Sequence, residues 1–229
     1  MEINEDSTKN TPLSIPPLTP NPPIRVTMIL ATDCYHGVAC AGEIPWKCKE
    51  DMKNFVKLTT MQKDPTNAIP NIMIAGRKTI ATLPLAYFKN TKRFTYGLTK
   101  DKTLLQGDNG WRACLLPNFK WVDSYEAIVN DLISRAYGFV YVIGGVQIYN
   151  DFLMKNTPGF ELTSIDHTII EGDFDCDEWV YPECNFVQSA FFNSGWGPLA
   201  ISAEKKNIGK KPIIGCTYTY NVRTLQSDK

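Results

Sequence analysis

Apolar residues fall along this chain in two periods. Short runs rich in β-branched and aromatic side chains occur at 26–31, 72–75, 94–98, 139–143 and 162–170, and each reads as a strand buried in a sheet. Between them lie stripes at helical spacing: Met52, Phe55 and Leu58 in one segment, Ile128, Val129, Leu132, Ile133 and Ala136 in a second, and Ile148, Tyr149, Phe152 and Leu153 in a third. Ser124 before Tyr125-Glu126 marks the start of the second stripe and Gly138 its end. Residues 112–116 offer another short strand. The stretches 186–192 and 214–222 alternate like the arms of an antiparallel hairpin around a long polar connection. Strands alternating with helices predict an α/β fold: a mainly parallel central sheet, helices on both faces and an antiparallel C-terminal hairpin.

One position breaks the first stripe. At 3.6 residues per turn, Glu50, Lys53, Asn54 and Lys57 share one side of the helix, while Asp51 falls with Met52, Phe55, Leu58 and Thr59. An ionised carboxylate on an apolar face is costly unless it is hydrogen-bonded or binds a ligand. The alternative is an acid half-exposed in the first turn, complementing the helix dipole. The segment alone leaves both open.

In sheets of this kind ligands bind beyond the carboxyl ends of the strands. Those ends are Ala31, followed by the small-residue loop 37–42; Gly76-Arg77-Lys78-Thr79; Leu98-Thr99-Lys100; and Gly144-Gly145. Glycines, cations and hydroxyls where strands meet helices suit an anion, and four such ends on one edge point to a phosphorylated dinucleotide. The diglycine is not the G-x-G-x-x-G fingerprint, so no Rossmann unit is read from it. The acids Asp173, Asp175, Asp177 and Glu178 lack the spacing of a calcium loop and read as a solvated turn, so no metal is expected.

Composition narrows the setting. Twenty-four basic residues balance twenty-four acidic ones, which removes any overall field toward nucleic acid or an anionic membrane. Seven cysteines without a C-x-x-C pair argue against a disulfide framework or a zinc cluster and suit a reducing, cytoplasmic setting. No apolar run approaches the roughly 18 residues of a membrane span. Residues 1–23, with six prolines between Pro12 and Pro23, read as a disordered tail, and 24–229 as a single domain.

Taken together, several elements resemble the dihydrofolate reductase family: Ile44-Pro45-Trp46 with Asp51, Phe55 and Thr59; Gly76-Arg77-Lys78-Thr79; Arg93 before a strand; Val142-Ile143-Gly144-Gly145 with Tyr149; and Leu162-Thr163. They stand in the family's order over residues 25 to 222. The resemblance implies reduction of 7,8-dihydrofolate by NADPH, with hydride transfer to C6 of the pterin and water-mediated protonation of N5. It casts Asp51 as the acid that bonds the pterin edge, Thr163 as its supporting hydroxyl and Trp46 as the residue holding an ordered water. Ile44, Met52, Phe55, Leu83 and Ile143 become pocket walls, and Arg93 the clamp on the substrate's glutamate carboxylate. For the cofactor it implies Ala31, Gly37, Val38 and Gly42 near the nicotinamide. Gly76, Arg77, Lys78, Thr79, Leu98, Thr99 and Lys100 fall around the adenosine phosphate, and Gly144, Gly145, Val146, Gln147, Ile148 and Tyr149 around the pyrophosphate, with the diglycine bond cis.

The sequence departs from the family pattern at four positions that bear on cofactor affinity and loop motion. Ile80 replaces a tryptophan, Ala39 a loop glycine and Val146 a small residue, while Asp123 stands where a basic residue is common. Two other readings compete with folate reduction. One is the pyrimidine reductase of riboflavin synthesis, which shares the fold but needs no arginine clamp. The other is a pterin- or nucleotide-binding module without catalysis. A small-molecule substrate, no nucleic-acid or membrane partner, a monomer and no fused thymidylate synthase complete the expectation.

Overall fold

The computed structural model describes residues 22–66, 68–106, 116–180, 199–205 and 213–221. Its axis is β1 (Ile24–Asp33), with β7 (Val140–Gly144) and β8 (Phe160–Ile170) parallel to it on either side. Beyond β7 follow β4 (Asn71–Gly76), β5 (Arg93–Leu98) and β6 (Phe119–Val122), all parallel. Beyond β8 the direction reverses through β11 (Ile213–Asn221), β10 (Leu199–Lys205) and the short β3 (Trp46–Lys47). The nine-stranded order is β3-β10-β11-β8-β1-β7-β4-β5-β6. A separate antiparallel pair joins β2 (Gly37–Ala39) to β9 (Glu178–Trp179).

The parallel strands read as continuous apolar runs because both faces of the sheet are covered. On β4, Ile72, Met73, Ile74 and Ala75 are all fully buried. Their side chains alternate as a strand requires. Ile72 and Ile74 pack with Ile128 and Leu132 of α5 (Tyr125–Ile133) and with Ile148 and Phe152 of α6 (Val146–Leu153). Met73 and Ala75 pack on the other face, with Phe55 and Leu58 of α1 (Lys49–Thr60), Ile80 of α2 (Arg77–Thr82) and Phe88 of α3 (Leu85–Phe88). A last short helix, α4 (Lys102–Leu105), follows β5. Burying each such side chain contributes roughly 1.5–3 kcal/mol.

The α/β architecture is therefore the one the pattern predicts, with corrections. The parallel strand β6 at Phe119–Val122 is one the pattern did not mark. The first arm of the terminal hairpin is 199–205, whereas 186–192 lies outside the described residues, as do 112–115 and residues 1–21. Helix α5 ends at Ile133, short of Ala136. Gly138 serves close approach instead: a Cβ there would sit 2.4 Å from Asn71 Oδ1. That asparagine accepts from Phe139 N at 3.0 Å and donates to the Thr59 and Met61 carbonyls at 3.1 and 2.7 Å, closing the end of α1. Among the described residues no helix is long and apolar enough to cross a membrane.

Candidate active site

Helix α1 opens on Cys48, whose Sγ accepts from Asp51 N at 3.3 Å, which places Asp51 in the first turn facing β8. Its carboxylate is hydrogen-bonded by Thr168, a buried residue opposite Ala31 in the β1–β8 register. Burial lifts Asp51 above the usual aspartate range; the Thr168 bond opposes this and the charge of Asp166 adds to it. One turn further along α1, Asn54 Nδ2 donates to Asp166 Oδ1 at 2.8 Å. Two polar rungs thus tie helix to strand. His167, between them in sequence, bonds Thr32 Oγ1 through Nε2 at 2.9 Å, and burial lowers its pKa to about 3, so it stays neutral.

Thr163 does not take the part the resemblance implied. Its Oγ1 donates to the Val26 carbonyl at 3.2 Å, near the amino end of β8 and away from Asp51. The strand spans eleven residues and slips register once against β1, between Val26 and Thr27. Which of its threonines meets α1 is decided by pairing across the sheet, and the local Leu162-Thr163 motif does not carry that information.

Trp46 is buried and meets Phe174 edge-on, ring centroids 5.2 Å apart, in a cluster that includes Cys48, Ile170 and Ala31. Phe55, Leu83 and Ile143 share the apolar cluster on the α1 face of the sheet. Ile44 and Met52 are each 54% exposed, which leaves apolar surface for a ligand. Arg93 enters from the start of β5 and is 4% exposed. Its Nε and Nη2 both donate to Thr59 Oγ1, at 3.0 and 2.8 Å, and its guanidinium lies 4.6 Å from the Tyr87 ring centroid and 5.9 Å from that of Phe55. None of the ion pairs among the described residues involves it. A buried cation held by a hydroxyl and two rings is arranged to receive an anion.

The ends of β4 and β7 are built on glycine. Gly144 and Gly145 are joined by a cis peptide bond, and Gly144 has φ +115. A Cβ on Gly144 would sit 3.1 Å from Tyr149 Oη and 3.3 Å from Thr79 Oγ1, and one on Gly145 3.2 Å from Thr79 Oγ1. Gly76 abuts the same place, its Cβ position 3.3 Å from Ile148 Cγ1 and 3.6 Å from Gly145 N. Tyr149 Oη donates to the Ile29 carbonyl at 2.8 Å, fixing α6 on β1.

Gly76, Thr79, Gly144, Gly145, Ile148 and Tyr149 therefore converge. The cations beside them are engaged: Lys78 pairs with Glu178 at 2.7 Å and Lys100 donates to the Asp123 carbonyl at 2.7 Å, while Arg77 is exposed. Thr99 is buried and caps Asp101 N at 3.1 Å; Leu98 and Val146 pack on the core, and Gln147 bonds Asp151 at 2.8 Å.

The loop after β1 is fastened to β9. Asp33 Oδ1 accepts from Tyr35 N and Gly37 N at 2.8 and 2.7 Å, and Ala41 N donates to Asp177 Oδ2 at 2.9 Å. A Cβ on Gly37 would meet Cys176 Cβ at 2.4 Å. Val38 is buried, and Gly42 sits at φ +77 with open space around it.

These features define an α/β protein whose glycine-bearing strand ends gather at the carboxyl edge of its parallel sheet, with Arg93 entering from the start of β5. The sequence profile of the dihydrofolate reductase family, described as dihydrofolate reductase, matches residues 25–194, and the chain belongs to that family. It is 28% identical over 162 residues to the dihydrofolate reductase of Pneumocystis carinii, covering 66% of this chain and 71% of that protein. It is 27% identical over 161 residues to the bifunctional dihydrofolate reductase-thymidylate synthase of Daucus carota and 28% over 173 residues to that of Glycine max. The matches span 70% and 74% of this chain but only 29% and 30% of those bifunctional relatives. Sequence reading missed Thr168, Asp166 and Asn54. The available signal was a pair of polar residues two apart, hence on one face of a strand that packs against α1.

Proposed function

We propose that this chain reduces 7,8-dihydrofolate to tetrahydrofolate with NADPH, residues 24–229 forming one catalytic domain. The observation that carries the reading is that α1 presents a half-buried carboxylate, Asp51, on the same side of the sheet as the buried Arg93, across from the glycine cradle. A carboxylate and a buried guanidinium on one face of the sheet suit a substrate with a flat, amidine-bearing ring at one end and a carboxylate tail at the other. NADPH, when bound, supplies the hydride. The cradle fits its pyrophosphate, since Gly144 and Gly145 leave room that a Cβ would fill beside Thr79.

Asp51, with Thr168 donating to it, holds the pterin edge by hydrogen bonds and favours its protonated form. Arg93 grips the glutamate carboxylate with its guanidinium. Trp46 and Ala31 belong to the apolar cluster that includes Cys48, three residues before Asp51, and water reaching Asp51 beside it carries the proton to N5. Orientation in a confined site supplies the remaining acceleration. The relatives named as dihydrofolate reductases support this assignment.

Arg93 favours a folate over the ribitylamino-pyrimidine of the related reductase, whose substrate offers no glutamate tail. NADPH oxidation by the purified protein, followed by absorbance, tests the reading. A rate that depends on dihydrofolate is expected, weaker by ~10-fold or more in kcat/KM for a pterin lacking the tail. Oxidation indifferent to dihydrofolate overturns it.

A further inference from the structure

Asp51 has a second carboxylate for a neighbour. Asp166 is 4% exposed on β8, two residues before Thr168 and so on the same face of the strand. Asn54 stands one turn after Asp51 and donates to Asp166 at 2.8 Å. The two acids are thereby fixed as adjacent rungs of one helix-to-strand contact. We propose that Asp166 is a positioning residue for Asp51: Asn54 clamps its carboxylate beside the acid, and its charge sets the pH range over which Asp51 carries a proton.

Among the described residues, groups from four elements act on the pair. From α1 come Cys48, which accepts from the Asp51 amide, and Glu50, which with Asp51 acts on the Cys48 thiol. From β8 come Thr168, bonded to Asp51, and Asp166 itself. From β7 comes Tyr141, whose hydroxyl Asp166 makes harder to ionise, and from α6 Tyr149, on which Asp51 acts in the same sense. His167 is turned to Thr32 and neutral. Asp166 is the neighbouring charge that makes Asp51 harder to ionise, in addition to burial. Two like charges in a site of reduced dielectric cannot both ionise freely.

The inference rests on the reading of Asp51 as the pterin's partner, and its test separates the two. Carboxyl carbon NMR of ligand-free, 13C-aspartate-labelled protein follows the titration of Asp51, assigned by Asp51→Asn. In Asp166→Asn the Asp51 midpoint is expected to fall by on the order of one pH unit, and the pH–rate midpoint of dihydrofolate reduction to fall with it. An unmoved Asp51 midpoint in a folded Asp166→Asn protein overturns the proposal. Should that variant not fold, the unmodified protein still decides: the Asp51 resonance is expected to show a second inflection where Asp166 titrates, and a single inflection overturns the coupling. Absence of dihydrofolate-dependent turnover in the unmodified protein refutes the functional reading and leaves the NMR outcome to stand alone.

Discussion

At the scale of single residues the site trades stability for chemistry. Burial holds Asp51 above its unfolded-state range, so its contribution to stability is intact below about 3.8, the ordinary value, and is lost as pH rises through the folded-state value. Above that ordinary value the folded protein therefore bears the cost of keeping Asp51 away from water. Asp51→Asn keeps the shape and removes that cost. The variant is expected to melt at a higher temperature than the unmodified protein at pH 7, the gap closing as pH falls toward 4. Its hydride-transfer rate at pH 7 is expected to drop by on the order of 100-fold and to recover in part at lower pH, where solution protons supply the pterin. Thermal melts and stopped-flow transfer rates across that range check both halves. A variant less stable at every pH, or with unchanged turnover, contradicts the assignment of Asp51 as a buried, substrate-directed acid.

At the scale of elements, what could be read in the sequence divides along the sheet. The parallel strands other than β6 were legible because their apolar runs are nearly continuous, whereas β6, interrupted by exposed Lys120, was not; α1, α5 and α6 were legible because one stripe recurs at helical spacing in each. Arg93 and the diglycine were legible as parts of an ordered set of motifs. The partner of Asp51 was not, because Thr163 and Thr168 stand five apart on one strand and only its pairing with β1 selects between them. Substitution separates them in solution. Thr168→Val removes a hydroxyl that stabilises the charged form of Asp51, so its pH–rate midpoint is expected to move to higher pH and kcat/KM to fall about 10-fold at pH 7. Thr163→Val removes a bond to the Val26 carbonyl and is expected to alter melting temperature slightly, with the pH profile in place. The reverse pattern in a kinetic comparison returns the supporting role to Thr163.

At the scale of the whole molecule the antiparallel end of the sheet is part of the candidate site's foundation. Seven residues of β8, from Ser164 to Ile170, pair with β11 from Asn221 back to Gly215, and Thr168 lies opposite Thr217 within that ladder. Beyond it, β10 pairs with Lys47 and Trp46 of β3, the short strand that leads into α1. The terminal hairpin therefore braces both supports of Asp51: the strand carrying Thr168 and Asp166, and the entry to its own helix. Its first arm was misplaced in the sequence reading because alternation alone fits several polar stretches, and only the partner strand selects one. Deleting residues 199–229 strips β8 of a full ladder and leaves its edge exposed to pairing with other chains. Loss of several ladder bonds at roughly 1 kcal/mol each corresponds to a fall in melting temperature on the order of 10–20 °C for a domain of this size. The truncated protein is expected to show that fall, to aggregate at micromolar concentration, and to lose dihydrofolate-dependent turnover at temperatures where it is still folded, because β3 and β8 no longer hold α1 from two sides. Calorimetry, light scattering and the NADPH assay run on one preparation measure all three. A truncated chain that melts and turns over like the full one would show that β8 and α1 are held by the parallel strands alone.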